Sequence, residues 1–472
     1  MEHFAHLISS SPFQDRFLSE DFDARSTFAS FLPGVAGYYG KPVWVFYVNR
    51  GQGVATFGTE SKEYPMLEFN PANKAYQLTP YVGFRSFVRG TRHGTTSQLS
   101  FQVEPFAPAR SRNLLDASDD PDKPKRIMYV GTNELEIQEI DGVHGLTTNV
   151  QYFILPEEDF SALVRRTTFS NTGNDDVELE ILDGLAKMEP SGGQLDWGLK
   201  NMGRTLEGWM GVYHADDTLS MPFYKMSTEP TDAAKVKIEL SGHYCLSFIE
   251  SKNETATLLP IVFDTDKVFG KSTSLQYPAG LQGSSVADIL DNPQYGDAKT
   301  SSAFAAVRKI VVKPGTNITV ASVYGKADHI EQVPQIADLV TQPGWVEAKF
   351  ERARSLIDEL TVGVETTTTN PLFDAAVKQM YLDNSLRGGM PTILGNVDSD
   401  ATYDEDPTVK VFHAFSRIHG DLERDYNAFM IDPSYYSQVS FTNGGLGTVT
   451  NPNVEPKIFY LSPNFAGTGQ LP

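Results

Sequence analysis

A single cysteine, Cys245, stands in the 472 residues of the chain. That scarcity excludes an intrachain disulfide and a cysteine-built metal cluster, and leaves a buried free thiol as the plain reading. Basic residues are also few: 39 Lys and Arg face 60 Asp and Glu, a formal charge of -21. Such a surface repels phosphate backbones and anionic lipid headgroups, so nucleic acid and membrane are not expected partners. Long hydrophobic runs are missing too. Glu2, Asp15, Arg16 and Glu20 interrupt the start of the chain, so neither a signal-peptide core nor a spanning segment is legible there, and the expected location is cytoplasmic. No Gly-x-Ser-x-Gly elbow occurs, and Gly51-Gln52-Gly53 lacks the third glycine of a dinucleotide loop and reads as a turn. The nine histidines lack the helical pair spacing of a zinc site, and no metal is expected.

What is present is apolar and β-forming. Residues contributing 40% apolar side chains suffice for two or three packed domains. From about residue 25 to about 325 the chain alternates short β-branched and aromatic runs with Gly, Pro, Asn and Asp. Val43 to Val48 reads as a strand covered on both faces; Leu146 to Leu155 and Ala162 to Ser170 read as further strands. Val177 to Leu182 alternates, with Val177, Leu179 and Ile181 on one face. The turn-rich Asn171 to Asp176 predicts a hairpin between the last two. Val236 to Leu240, Tyr244 to Ile249, Val307 to Val312 and Ile318 to Tyr324 are strand candidates, the last pair joined through Lys313-Pro314-Gly315-Thr316. Asp116 to Lys125 and Gly280 to Thr300 read as exposed loops. Antiparallel packed sheets are the expected result.

Near residue 330 the period changes. Trp345, Lys349-Phe350, Ala353, Leu356-Ile357 and Leu360 mark an amphipathic helix that must dock on something. Asn370-Pro371 opens a second helix, with Phe373, Val377 and Met380 on its stripe, ending at Gly388-Gly389. Val364 to Thr369 reads as linker, and Val439 to Pro472 has no sustained period.

The densest chemistry lies in Phe412 to Asn427, where Arg417, His419, Asp421, Glu423, Arg424, Asp425 and Tyr426 sit among aromatic residues. These groups can hydrogen-bond a polyol or phosphate, and Tyr426, Tyr435 and Tyr436 can stack on sugar rings. The competing reading is a surface helix with internal ion pairs such as Asp421 with Arg424. Trp44, Trp197 and Trp209 suit a sugar-binding face or a core equally well. Asp183, Asp196 and Glu207 are carboxylates near this region, expected to face water and assigned no catalytic part.

Four stretches carry a resemblance: Val43 to Gln52, Met66 to Tyr76, Leu163-Val164-Arg165-Arg166, and His419-Gly420-Asp421-Leu422-Glu423-Arg424-Asp425-Tyr426. Together they resemble the front half of cellobiose-phosphorylase-like proteins of glycoside hydrolase family 94, formerly glycosyltransferase family 36, nearest to 1,2-β-oligoglucan phosphorylases. The resemblance implies a galactose-mutarotase-like β-supersandwich over 1–330, a helical linker over 331–369 and the beginning of an (α/α)6 barrel over 370–438. An aberrant tail then occupies 439–472, as expected of a truncated or misread gene product. It also implies inverting phosphorolysis of β-glucosides to glucose 1-phosphate without metal or nucleotide, a β-glucan or related oligosaccharide as partner, inorganic phosphate in the full-length relatives, and a homodimer as one option. Because the positions for the catalytic acid and phosphate are not seen, a carbohydrate-binding region inactive by itself is expected. A non-catalytic β-glucan-binding module and an inert fragment are the alternatives.

Overall fold

In the computed structural model the described residues are 6–9, 15–32, 41, 43–59, 64–93, 98–108, 122–192, 195–230, 234–361, 369, 374–375, 378–379, 382, 391–394 and 412–415. The chain is mainly β, with large antiparallel sheets followed by helices. It divides into two units, Met1–Leu356 and Ile357–Pro472.

In the first unit a ten-stranded sheet runs in the order His6–Ser9, Asp15–Glu20, Lys125–Val130, Glu134–Asp141, Leu146–Ile154, Ser161–Asn171, Asn317–Ala327, Gly242–Ile249, Pro222–Met226, Met210–His214. A five-stranded sheet, Ile261–Asp264, Ser301–Val312, Val177–Met188, Phe84–His93, Gln98–Val103, faces it. A four-stranded sheet is built from Ala29–Leu32, Val43–Val48, Val54–Thr59 and Pro65–Leu67. Strand pleat decides the layers. On Ser161–Asn171, Leu163 and Phe169 join the core between the sheets while Val164 points to the opposite face, where it joins Phe153, Leu246 and Val323. Both faces of this strand therefore carry buried apolar side chains.

Two helices cover the outer face of the large sheet. Val333–Val340 buries Val333, Ile336, Ala337 and Val340, and Trp345–Thr361 sends Val346, Phe350 and Ala353 into the same cluster. Phe350 packs 5.2 Å from Phe153, ring to ring. The helix expected from Trp345 onward is present, and its stripe packs back on the sandwich. Polar contacts fix its register: Asn133 Nδ2 donates to Ala353 O at 2.7 Å, and Arg354 clamps Glu134 through Nε at 2.7 Å and Nη2 at 2.9 Å. The outer face of the five-stranded sheet, with Phe87, Leu182 and Phe304, is covered by the short helices Thr265–Phe269 and Val286–Asp291.

Several expectations are corrected. Asn171 to Asp176 does not close a hairpin, because Ser161–Asn171 belongs to the large sheet and Val177–Met188 to the facing one. The return connection through Lys313 to Thr316 crosses between the same sheets, and Asn171 ties the two crossings together. Its backbone NH donates to Thr316 O at 3.0 Å, its Nδ2 donates to Val312 O at 2.8 Å, and its Oδ1 accepts from Arg92 Nη1 at 2.9 Å. A turn composition signals reversal without saying which sheet receives the next strand. Val236 to Leu240 forms no strand: it makes one isolated bridge, Thr228 with Ile238, and no sheet face receives its alternating apolar side chains, which stay exposed. Within Gly280 to Thr300 lies the helix Val286–Asp291, started by a reciprocal capping box of Ser285 and Asp288. Ala72–Val82 is a helix that the strand-like reading of this region did not foresee.

Of the second unit the described residues include an antiparallel pair, Pro391–Leu394 with Phe412–Phe415. Most of the expected helix after Asn370, including Phe373, Val377 and Met380, and the tail 439–472 lie outside the described residues.

Between the two facing sheets lies a fully buried ion pair. Arg165 and Asp183, each 0% exposed, meet through Nη1 with Oδ2 and through Nη2 with Oδ1 at 3.0 Å. Ser86 Oγ donates to Asp183 Oδ1 at 2.5 Å, Gln52 Oε1 accepts from Arg165 Nη2 at 2.6 Å, and Tyr152 OH donates to Gln52 O at 2.9 Å. The expectation that Asp183 faces water is therefore overturned: it stands mid-strand on the inward pleat. Burial acts to lower the Arg165 pKa, and the adjoining Asp183 carboxylate more than reverses that, so the guanidinium keeps its charge. Burial drives the Tyr152 phenol up to about 12, which keeps its proton for donation. Replacing Asp183 by Ala strands the guanidinium and is expected to cost about 3–5 kcal/mol of unfolding free energy. The double change Arg165→Met with Asp183→Leu should cost less than Asp183→Ala alone. Urea unfolding of both variants checks this, and a single-variant loss under about 1 kcal/mol would contradict the account.

Candidate functional site

The sites expected in the sequence at Arg417, His419, Asp421, Glu423, Arg424, Asp425 and Tyr426 lie outside the described residues, as do Tyr435 and Tyr436. Asp196 falls in the helix Leu195–Asn201. Trp209 is partly buried against Leu206, Met210 and Met226, a core role rather than a sugar platform. Gly51 and Gly53 form the expected turn, with φ of +54° and +86°. Gln52 between them serves the buried network.

Charged groups converge where Val177–Met188 runs out. Glu189, just past that strand, is 0% exposed, and its backbone NH donates to Met66 O at 2.9 Å. The Lys187 ammonium is ion-paired with Glu189 Oε1. Glu68 Oε2 lies 3.9 Å from the same ammonium. Burial lowers the Lys187 pKa, but Glu189, then Glu68 and Glu207, raise it further, and the net shift is upward. Glu207, noted in the sequence, acts on this lysine only through its field, and its Oε1 accepts from Thr300 Oγ1 at 3.2 Å.

His243 completes this end of the sandwich. It is fully buried, and its Nδ1 lies 2.8 Å from Glu189 O, so the proton sits on Nδ1 and the unprotonated Nε2 has no partner. Burial pulls its pKa down to about 4, the Glu189 carbonyl opposing and Lys326 reinforcing that shift. Lys326 is its register partner on the neighbouring strand and Ser161 is the partner of Lys326 on the next. The Lys326 ammonium also stands 4.7 Å from the Tyr64 ring centroid.

Ser161 and Lys326 open onto a cleft of about 390 Å³ between the strand ends and the helix Val333–Val340. Asp159, Asp328 and Gln335 bring polar groups to it, and Phe160, Ile336 and Leu339 bring apolar surface. A second cleft of about 270 Å³ lies by the start of Trp345–Thr361. Several of its polar groups are already paired: Arg166 binds Glu250 at 2.7 and 2.8 Å and Glu347 at 2.6 Å, and Thr319 bonds Thr168 at 2.8 Å. The first cleft keeps its capacity. Among the described residues, Asp159, Asp328 and Gln335 are exposed and show no side-chain partner.

The sequence reading did not find these positions. Lys187 and Glu189 carried the available signal, two charges ending a strand that had alternated cleanly; Asp159 and Gln335 match no motif.

No protein-family profile matches the chain, and no curated protein matches it. Solved structures similar to it include a polysaccharide lyase, 9% identical over 64% of this chain and 34% of that one, with a TM-score of 0.32. A bacterial glucoamylase complexed with acarbose is 9% identical over 76% of this chain and 43% of that one, with a TM-score of 0.29. A protein named as a kojibiose phosphorylase from the human microbiome is 8% identical over 84% and 40%, with a TM-score of 0.27. The chain spans less than half the length of each. At these scores the likeness carries no functional argument. Among the described residues no helix is long and apolar enough to cross a membrane, and no group of three His, Cys, Asp or Glu side chains is placed to hold a metal.

The His243 shift fixes a pH dependence. Its folded pKa, about 4, lies below the ordinary 6.5, so the unfolded chain takes up the proton first on acidification. Stability from this group is whole above pH 6.5 and declines as pH falls toward 4, by about 3 kcal/mol in all. Urea midpoints at pH 7 and 4.5 should differ more in the native protein than in His243→Asn. An equal difference would show that His243 is not the group responsible.

Proposed function

We propose that the chain is a carbohydrate-binding β-sandwich region of a glycoside phosphorylase-like protein. The observation that carries this reading is the open cleft beside Val333–Val340, where unpartnered carboxylate and amide groups border exposed apolar surface. Sugars present that combination, hydroxyls around the ring and apolar C–H faces above and below it. The four resembling stretches support the same direction, and three of them lie mostly in the described fold. Val43 to Gln52 supplies Gln52, and Leu163 to Arg166 supplies Arg165, to one hydrogen bond between them. Met66 to Tyr76 supplies Glu68 to the lysine at the sandwich end. The order of a large antiparallel sandwich and then helices fits the plan of such proteins, with 1–330 as sandwich and 331–369 as linker.

In that reading the parent reaction is inverting phosphorolysis of β-glucosides, with β-glucan oligosaccharides as the favoured partner and inorganic phosphate as co-substrate. The part assigned to the described residues is binding. Isothermal titration with β-1,2-gluco-oligosaccharides is expected to give a saturable signal, and incubation with the same sugars and phosphate is expected to release no glucose 1-phosphate. Absence of binding by every neutral glucan tested would overturn the carbohydrate reading. Release of glucose 1-phosphate would show instead that the chain is itself an enzyme.

A further inference from the structure

We propose that residues 236–240 are the pairing edge of a homodimer, in which a second copy of this chain adds the same segment antiparallel about a two-fold axis at Ile238. Nothing in it rests on the carbohydrate reading. Val236, Ile238 and Leu240 alternate with Lys237 and Glu239 as a half-buried strand does, yet they are 67%, 63% and 57% exposed. A single chain gives this pattern no neighbour.

One edge of the segment is used and the other is open. Glu229 NH donates to Lys237 O at 2.9 Å and Lys225 Nζ donates to Glu239 O at 2.9 Å, so the odd-numbered residues turn their backbone groups toward Pro222–Met226 and the isolated bridge that continues it. In extended chain the even-numbered backbone groups then point the other way. That is the side on which Asn317–Ala327 flanks Gly242–Ile249, and its pairing stops at Ala327, opposite Gly242. Past that point, among the described residues, the backbone groups of Val236, Ile238 and Leu240 have no hydrogen-bond partner. An open edge of this kind is a template for another strand.

Self-complementarity names the occupant. With Ile238 opposite Ile238, Val236 stands opposite Leu240 on one face and Lys237 opposite Glu239 on the other, twice over by symmetry. Moving the axis by one residue sets Lys237 against Lys237 or Glu239 against Glu239, and parallel stacking in register makes every charge meet its like. Charge therefore selects one closed pair over other registers and over an open stack. The Lys237 side chain is 74% exposed and its ammonium reaches Glu229 at 3.4 Å, a surface pair exchanged at little cost. Glu239 Oε1 accepts from Ser241 NH at 2.9 Å and Ser241 Oγ at 2.7 Å, and the carboxylate keeps further acceptor positions.

Sedimentation equilibrium on the full chain from about 1 to 100 µM should show a reversible monomer–dimer equilibrium with Kd on the order of 10 µM, because one shared edge lies at the small end of stable interfaces. Ile238→Lys puts like charges at the axis and should raise Kd at least about tenfold. Its melting temperature should stay unchanged, since the side chain it replaces is exposed. Lys237→Glu and Glu239→Lys should each weaken the dimer about tenfold, and the two together should restore it. A monomer throughout this range would overturn the proposal. So would a dimer whose Kd is unaltered in Ile238→Lys, since the copies would then meet elsewhere. Failure of the double variant to regain affinity would overturn the register, and the two-fold pairing with it.

Discussion

Two facing sheets can slide over one another unless something other than apolar contact holds them, and here the Arg165–Asp183 pair supplies that constraint. An apolar interior tolerates many registers because dispersion and burial are nearly direction-free. A buried guanidinium is not tolerant: it demands its carboxylate at bonding distance or costs several kcal/mol. Shifting Ser161–Asn171 by one residue would turn Arg165 outward and bring Val164 in, losing the pair and misplacing every neighbour. The surrounding groups close the circuit: Ser86 donates to the carboxylate, Gln52 accepts from the guanidinium, and Tyr152 anchors Gln52. Full satisfaction separates a specifying network from a destabilising one.

The same constraint propagates outward. With the sheets in register, the two crossings near Asn171 run side by side and share its amide, while Arg92 reaches the turn from the five-stranded sheet. The opposite pleat of the large sheet is then uniformly apolar and needs a cover, which Val333–Val340 and Trp345–Thr361 provide. Trp345–Thr361 also carries polar contacts, Glu347 with Arg166 and Arg354 with Glu134, so this helix has one seat and not a range of them. The cleft is a by-product of this seating: a short helix laid across strand ends leaves an opening beside Ser161 and Lys326.

Much of this was legible before any coordinates. Alternation marked Val177 to Leu182, runs of β-branched and aromatic residues marked Tyr244 to Ile249 and Ile318 to Tyr324 as strands, and period-3.6 patterning located the helix at Trp345, because burial imprints the sequence directly. Pairing left no such imprint. The turn at Asn171 looks the same whether it returns the chain within a sheet or hands it to another, and Val236 to Leu240 alternates like a strand without a face to bury. Asp183 was misjudged for the reverse reason: a carboxylate reads as solvent-facing unless its partner, Arg165, is known to stand opposite. The candidate site was least visible. Its groups come from segments more than a hundred residues apart, Asp159 with Lys326 and Gln335, and none forms a local motif.

The sandwich end and the cleft differ in what their polar groups can still do. Nε2 of His243 has no hydrogen-bond partner among the described residues and is sealed from solvent, so its unmet capacity is a cost to the fold that no sugar can relieve. Asp159, Asp328 and Gln335 are exposed and show no side-chain partner among the described residues, so water satisfies them. Lys326 belongs to both regions, reinforcing the low pKa of His243 on one side and lining the cleft on the other. Its ammonium therefore ties the electrostatics of a sealed structural cluster to an accessible surface.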